Sequence, residues 1–128
     1  MNASLTLPLD IPATVRRALE EDIGTGDLTA QLIPERATAN AELITREDAV
    51  LCGTAWFDEV FRQLDAGVRC DWQVRDAEAI HAGQRLCRLT GAARALLSGE
   101  RCALNFLQTL SATATVTRRY VDAVRGTR

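Results

Sequence analysis

The sequence predicts one α+β domain, with a helical start, a strand-rich middle and a helical end. Apolar residues recur at helical spacing near the beginning of the chain and over its last third. Between these segments, apolar and polar residues alternate with a period of two, which is typical of strands. The 128 residues are 47% hydrophobic and 25% charged, which is enough to bury a core without disulfides or a metal.

The composition excludes several kinds of chemistry. All 15 basic residues are arginine, so no lysine can form a Schiff base or carry biotin or lipoate. Arginine still binds phosphates and carboxylates, but acids lie among the basic residues and aromatic side chains are few, which argues against a nucleic-acid interface. The cysteines have no C-x-x-C spacing, so no metal site is expected. The start has no signal-peptide pattern and no segment is apolar enough to span a membrane, so we expect a cytoplasmic protein with reduced thiols.

The first helix should begin at Asp10 as N-cap and carry an apolar face through Val15 and Leu19. We expect it to stop at the glycines of residues 21–29 (EDIGTGDLT). That segment has three carboxylates and no basic residue, so it would repel phosphate. A structural turn is favoured over a ligand site there, with Asp27 able to cap a following turn.

The middle of the chain predicts strands around one helix. Residues 37–52 alternate on both sides of a polar turn at residues 45–48, which indicates a β-hairpin. The spacing of Trp56, Val60, Phe61 and Leu64 predicts a helix after Gly53. Residues 68–74 alternate cleanly, which predicts a strand with one wet face.

Residues 76–91 predict a turn, a short strand, a turn at Gly83 and another strand. The pattern resembles the hairpin of biotinyl and lipoyl carrier domains, but the missing lysine excludes that function. The single histidine, His81, lies beside this turn without an acidic or cysteine partner nearby in the sequence. A surface or packing role is favoured for it over a catalytic base.

The last segment predicts a helix from about residue 93 nearly to the end, with Gly126 as C-cap. Because Cys102 and Phe106 fall opposite its main apolar stripe, we expect residues 96–110 to be apolar nearly all round. Such a helix is covered on both sides, here by another domain or subunit. The Thr- and Ala-rich residues 111–117 should weaken or bend it.

Two charges interrupt this helix, Glu100 within the predicted apolar stripe and Arg101 on its flank. One interpretation is that both neutralise other charges inside a structural interface. The other is that the helix holds Arg101 so that it can bind an anionic ligand. The residues alone favour the first interpretation.

Residues 96–115 (LLSGERCALNFLQTLSATAT) are very similar to the signature helix of quinolinate phosphoribosyltransferases. Residues 21–29, residues 44–48 (ITRED) with the following stretch to Gly53, and the turn at Gly83 and Gln84 match the same family in order and spacing. The chain is therefore identified as a member of this family, over roughly residues 18–127.

The resemblance implies an N-terminal domain with an open antiparallel sandwich of about four strands and helices, which precedes a phosphoribosyl-binding α/β barrel. Residues 1–113 would form this domain, and residues 114–128 a helix toward the barrel. Such enzymes condense quinolinate with phosphoribosyl pyrophosphate, using Mg²⁺, and release pyrophosphate and carbon dioxide to give nicotinate mononucleotide for NAD. The barrel's catalytic and Mg²⁺-binding residues have no counterpart here, so the chain alone should be inactive.

Arg101 alone matches a substrate-binding position of the family, which reverses the preference above. The resemblance implies that it reaches the quinolinate carboxylate in a neighbouring subunit's active site, within a homodimer or a hexamer, while Glu100 orients or neutralises the helix. We also expect another chain to cover Leu104, Phe106 and Leu107. Two alternatives stay open: a non-catalytic dimerisation module, and a related phosphoribosyltransferase of molybdenum-uptake operons.

Overall fold

The computed structural model describes residues 10–126, and for residues 23–29 it describes the backbone alone. The described part contains three helices and five strands, which confirms the α+β class. In chain order they are α1 (Ile11–Ala30), β1 (Thr38–Ile44), β2 (Ala49–Val50), α2 (Thr54–Leu64), β3 (Arg69–Trp72), β4 (Ala79–Ile80), β5 (Arg85–Ala92) and α3 (Ala93–Gly126).

Helix α1 begins as predicted and ends later than predicted. The Asp10 carboxylate accepts a hydrogen bond from the Ala13 N–H at 3.1 Å, which is the contact of an N-cap. The expected stop at the glycines is wrong, because the helix continues to Ala30. Val15 and Leu19 are buried toward one end and Ala30 at the other. We attribute the extension to this tertiary packing, which outweighs the low helix propensity of glycine.

Strands β1, β5 and β3 form an antiparallel sheet with β5 in the centre. The predicted hairpin within residues 37–52 is wrong, because β1 pairs with β5 along its whole length and β2 belongs to another sheet. The polar turn does not reverse the chain onto β1. Instead, the Thr45 N–H donates to the Gln84 carbonyl and the Gly83 N–H donates to the Thr45 carbonyl, which extends the ladder between β1 and β5.

Strands β2 and β4 form a separate two-stranded antiparallel sheet. The short strand and the longer strand predicted on either side of Gly83 are present as β4 and β5. They do not pair with each other, however, so the likeness to a carrier-domain hairpin does not extend to strand pairing.

The three-stranded sheet has a buried face and a wet face, as the alternation in β3 predicted. Trp72 and Cys87 are cross-strand neighbours on the inner side and pack in the core, whereas Asp71, Arg88 and Glu42 form an exposed row across all three strands. The buried core lies between the helices and this sheet; it contains Val15, Leu19, Leu51, Phe57, Val60, Phe61, Val74, Ile80, Leu86, Cys87, Leu89, Cys102, Ala103 and Leu107.

Helix α2 forms where its periodicity predicted, and its N-terminus is capped by a distant residue. The Thr54 N–H donates to the Asp76 carboxylate at 3.2 Å. Val60 and Phe61 are buried, while Trp56 and Leu64 are partly buried against the core. The aromatic ring of Phe57 packs edge-on against Trp72, with ring centroids 5.1 Å apart, so α2 is anchored on the inner face of the sheet.

Helix α3 is one continuous helix of 34 residues, including the segment expected to weaken it. Its buried face consists mainly of small side chains, namely Ala95, Gly99, Cys102, Ala103, Leu107 and Ser111. The prediction that residues 96–110 are apolar all round is wrong, because polar and charged residues occupy the outer face. Cys102 lies on the buried face and not opposite it.

The hydroxyls of α3 supply hydrogen bonds to the edge of β2. The Val50 N–H donates to Thr115 Oγ1 and the Cys52 N–H donates to Ser111 Oγ, each at 2.9 Å. The intervening Leu51 N–H points the other way and donates to the Glu78 carbonyl. Two hydroxyls one helical turn apart thus replace a strand on the open side of β2.

Candidate functional site

Arg101, the residue that the sequence singled out for anion binding, lies on the outer side of α3 in its N-terminal half. Gly99, two residues before it, and Ala103, two residues after it, are buried and fix how the helix is rotated. The Arg101 side chain is 74% exposed. A guanidinium in this position can reach a ligand that approaches from outside the domain.

The position of α3 is set by close contact with α2 at Gly99. A Cβ atom built on Gly99 would lie 2.7 Å from Phe61 Cε1 and 2.8 Å from Leu64 Cδ1, both side-chain atoms of α2. Only a residue without a side chain allows the helices to approach this closely. Arg101, two residues further along, is therefore carried on a firmly packed helix.

Helix α1 brings one acidic side chain to Arg101. Arg101 Nη1 lies 3.6 Å from Asp22 Oδ1, and the Asp22 side chain is only 20% exposed. Burial, together with the negative charge of Asp22, raises the pKa of the nearby Cys102 thiol. The carboxylate of Asp22 therefore faces the N-terminal half of α3 and contributes negative potential there.

Asp22 lies in the segment of residues 21–29 that resembles the family, but its contact with Arg101 was not predicted from the sequence. The spacing of the residues nevertheless indicated the face of α1 on which Asp22 lies. Asp22 follows Leu19 by three residues and Ala18 by four, and both pack in or against the core, so helical geometry puts Asp22 on the same face. The contact with Arg101 itself could not be inferred, because helical spacing does not show which helix packs beside α1.

Glu100 does not lie where the sequence predicted. It was expected within the apolar stripe of α3, but it is exposed. The buried face of α3 runs instead through Ala95, Gly99 and Ala103, which places Glu100 on the outer side. Within the part of the chain that the structure describes, Glu100 forms no ion pair with Arg101. Its predicted supporting role stays untested.

The residues expected to be covered by another chain are also placed differently. Leu107 is already buried within this chain, at 5% exposure. Leu104 and Phe106 are partly buried and pack against the core. The large exposed apolar side chains of α3 lie mainly nearer its end: Leu97, Val116, Tyr120, Val121 and Val124.

Two other segments were weighed as sites. Asp27, which was expected to cap a turn, lies outside the residues whose side chains are described, and the backbone of residues 21–29 is helical and forms no turn. His81 lies on the surface, as predicted, with Nδ1 3.9 Å from Asp48 Oδ1 and both side chains 75% exposed. The fold brings together these two residues, which are far apart in the sequence.

The described residues also bear on metal binding and membrane insertion. They contain no group of three or more histidine, cysteine, aspartate or glutamate side chains arranged to hold a metal ion. None of the helices in this range combines the length and the apolar character that a bilayer requires. The four cysteines are all unpaired thiols, and Cys87 and Cys102 are buried.

The chain is similar to known proteins over most of its length. It is 43% identical over 101 residues to a probable carboxylating nicotinate-nucleotide pyrophosphorylase of Bacillus subtilis, covering 79% of this chain and 35% of that protein. It is 36% identical over 116 residues to the chloroplastic carboxylating enzyme of the same name from Oryza sativa, covering 89% of this chain and 31% of the relative. The chain thus spans about a third of the length of these curated relatives.

A solved structure of a similar protein has the same fold. The nicotinate-nucleotide pyrophosphorylase of Francisella tularensis superposes with a TM-score of 0.87 at 43% identity, covering 94% of this chain and 43% of that one. A crystal structure of NadC from Streptococcus pyogenes gives a TM-score of 0.85 at 35% identity, over 91% of this chain and 42% of the other.

The residues that the family model matches include all five described strands and the part of α3 that carries Arg101. The model is described as the N-terminal domain of quinolinate phosphoribosyl transferase, and it matches residues 27–111, which is more than half of the chain. The fold expected from the resemblance, antiparallel sheets with helices, is also the fold observed. The chain therefore belongs to the quinolinate phosphoribosyl transferase N-terminal domain family.

Proposed function

We propose that this chain is the N-terminal part of a carboxylating nicotinate-nucleotide pyrophosphorylase. The parent protein would join quinolinate to phosphoribosyl pyrophosphate and release pyrophosphate and carbon dioxide, giving nicotinate mononucleotide for NAD synthesis. The names of the relatives support this reaction. In this proposal, the remaining two thirds of the parent's length supplies the catalytic groups.

The observation that carries the proposal for the site is the placement of Arg101. It lies in the family-matched region on a closely packed helix, and its guanidinium is largely exposed. We propose that it binds a carboxylate of quinolinate held in the active site of a neighbouring subunit. A planar guanidinium forms paired hydrogen bonds with a carboxylate, so it would both bind and orient the ring.

Mg²⁺ is part of the proposal for the parent protein and not for this chain. The described residues offer no cluster of metal ligands, so we place the ion, together with phosphoribosyl pyrophosphate, in the remaining part of the parent. The exposed Glu100 would affect Arg101 only through the electrostatic potential around it. Localisation in the cytoplasm is proposed as well, because the free cysteines suit a reducing compartment.

The test uses the full-length protein that contains this chain. With quinolinate and phosphoribosyl pyrophosphate it should form nicotinate mononucleotide. Arg101→Ala should raise the KM for quinolinate by about tenfold to a hundredfold, because a hydrogen bond to a charged group contributes roughly 1.5–3 kcal/mol. The KM for phosphoribosyl pyrophosphate should change little. Arg119→Ala, which removes an exposed arginine further along the same helix, is the matched control.

A normal quinolinate KM in Arg101→Ala would contradict the site assignment, and failure to form nicotinate mononucleotide would contradict the reaction. If the parent belonged with the phosphoribosyltransferases of molybdenum-uptake operons, it would process another substrate and leave quinolinate unchanged. The name of the matched family favours quinolinate.

A homo-oligomeric parent is the second part of the proposal. Two features support it: the Arg101 side chain is 74% exposed, and the end of α3 exposes Val116, at 64%, and Tyr120, at 70%. Sedimentation of the full-length protein should show a dimer or a hexamer. Sedimentation of the 128-residue chain alone tests the alternative of a dimerisation module; a stable dimer without any phosphoribosyltransferase activity in the parent would favour that alternative.

A further inference from the structure

Asp22 and Arg101 are far apart in the sequence and meet where α1 packs on α3. The contact joins one carboxylate oxygen of Asp22 to one terminal nitrogen of Arg101, at 3.6 Å. A guanidinium has five N–H donors in a planar fork. A contact at one terminal nitrogen therefore leaves most of the fork for a second carboxylate.

The two partners differ in their freedom to move. Asp22 is only 20% exposed and extends from the packed face of α1, whereas the Arg101 side chain is 74% exposed. An exposed ion pair of this kind contributes little to stability. What Asp22 can do is restrict the rotamers of a long side chain that would otherwise lose that freedom when it binds a ligand.

We propose that Asp22 is a positioning residue for Arg101. Its carboxylate holds one end of the guanidinium, and the remaining N–H donors are presented to a carboxylate of the substrate. The inference rests on the proposed function, in which Arg101 binds quinolinate. It assigns a role to an acidic residue whose own charge would repel an anionic ligand.

Repulsion of the substrate by Asp22 and positioning of Arg101 by Asp22 predict opposite effects on the quinolinate KM, so substitution of Asp22 distinguishes between them. If positioning dominates, Asp22→Ala in the full-length protein raises the quinolinate KM by about threefold to tenfold, because Arg101 then loses more rotamer freedom on binding. kcat and the KM for phosphoribosyl pyrophosphate stay within about twofold, since neither depends on this arginine under the proposal. Asp22→Asn, which removes the charge but keeps the size of the side chain and an oxygen that can face the guanidinium, causes a smaller rise.

Two further variants make the test specific. Glu21→Ala removes the neighbouring exposed carboxylate of α1 and should leave the quinolinate KM unchanged. In the double variant Asp22→Ala/Arg101→Ala, the quinolinate KM should equal that of Arg101→Ala alone, because a residue that acts only through Arg101 has no effect without it.

The outcomes distinguish this inference from the proposed function. If Arg101→Ala raises the quinolinate KM while Asp22→Ala leaves it unchanged, lowers it, or adds its full effect in the double variant, the positioning role is overturned and the proposed function stands. If Arg101→Ala has no effect, both are overturned. Should Asp22→Ala fail to fold, as judged by circular dichroism, Asp22→Asn carries the same comparison.

Discussion

Ser111 and Cys52 exchange two hydrogen bonds through a single hydroxyl group. The Cys52 N–H donates to Ser111 Oγ at 2.9 Å, and the hydroxyl donates to the Cys52 carbonyl at 3.1 Å. Ser111 is buried, at 9% exposure. One side chain of α3 thus satisfies both backbone groups of a residue that has no strand partner on that side.

Ser111→Ala should lower the free energy of unfolding by about 1–3 kcal/mol, because it leaves a part-buried N–H and carbonyl without partners. Urea denaturation of the 128-residue chain measures the change. Thr113→Ala is the matched control: Thr113 is exposed and its hydroxyl donates only to the Thr109 carbonyl of its own helix. The control should change stability by less than about 0.5 kcal/mol. Equal effects of the two substitutions would argue against the special role of Ser111.

Gly99→Ala should destabilise the contact between α2 and α3. The added methyl group would overlap Phe61 and Leu64, and overpacking of this kind costs roughly 1–3 kcal/mol, of which the higher helix propensity of alanine recovers up to about 1 kcal/mol. Gly126→Ala places the same methyl group in open space and should be neutral or slightly stabilising. Thermal unfolding of both variants provides the comparison, and a midpoint for Gly99→Ala that equals or exceeds that of Gly126→Ala would contradict a close contact at Gly99.

Glu59 should make stability depend on acid pH. Hydrogen bonds from Arg62 lower the pKa of Glu59 from its ordinary value of 4.5. Because the folded state then favours the ionised form, the stabilisation is present above 4.5 and is lost as the pH falls through the lowered pKa. The difference in free energy of unfolding between the unchanged chain and Glu59→Gln should therefore shrink between about pH 7 and about pH 3. A difference that is constant with pH would refute this.

The thiols should react slowly while the chain is folded. Burial raises the pKa of Cys52 and of Cys102, and a hydrogen bond shared with Cys87 raises the pKa of Cys70. Since the thiolate is the nucleophile, labelling by a disulfide reagent near pH 8 should be much slower in the native chain than in denaturant. Fast labelling of all four thiols in native conditions would contradict the burial of Cys87 and Cys102.

The periodicity of the sequence predicted the positions of helices and strands better than it predicted which strands pair. The helix after Gly53 and the strand at residues 69–72 were found because their apolar spacing is local information. The partner strand of β1 was not predicted correctly, because an alternation with a period of two identifies a strand but not the strand with which it pairs. The nearest strand in sequence, β2, offers two residues, whereas β5 pairs with all seven residues of β1.

The face of α3 was misassigned for a related reason. Leucines dominate a hydrophobic pattern, but the face that packs closest here uses Ala95, Gly99 and Ala103, whose hydrophobic signal is weak. Small residues allow close helix packing, so they decide the rotation of the helix and place Glu100 outside. The residues alone made Arg101 a candidate and the family resemblance decided in its favour. Its contact with Asp22 depends on how α1 packs against α3, which no local pattern shows.

Strand β5 passes into helix α3 with no residue between Ala92 and Ala93. The joint is tight, since a side chain on Gly91, at φ 154°, would meet Val68 at 2.9 Å. A helix turns about 100° per residue, so one inserted amino acid at this joint would swing Arg101 away from Asp22 and Ser111 away from Cys52 at once. Length at residues 92–93 should therefore be intolerant of insertions.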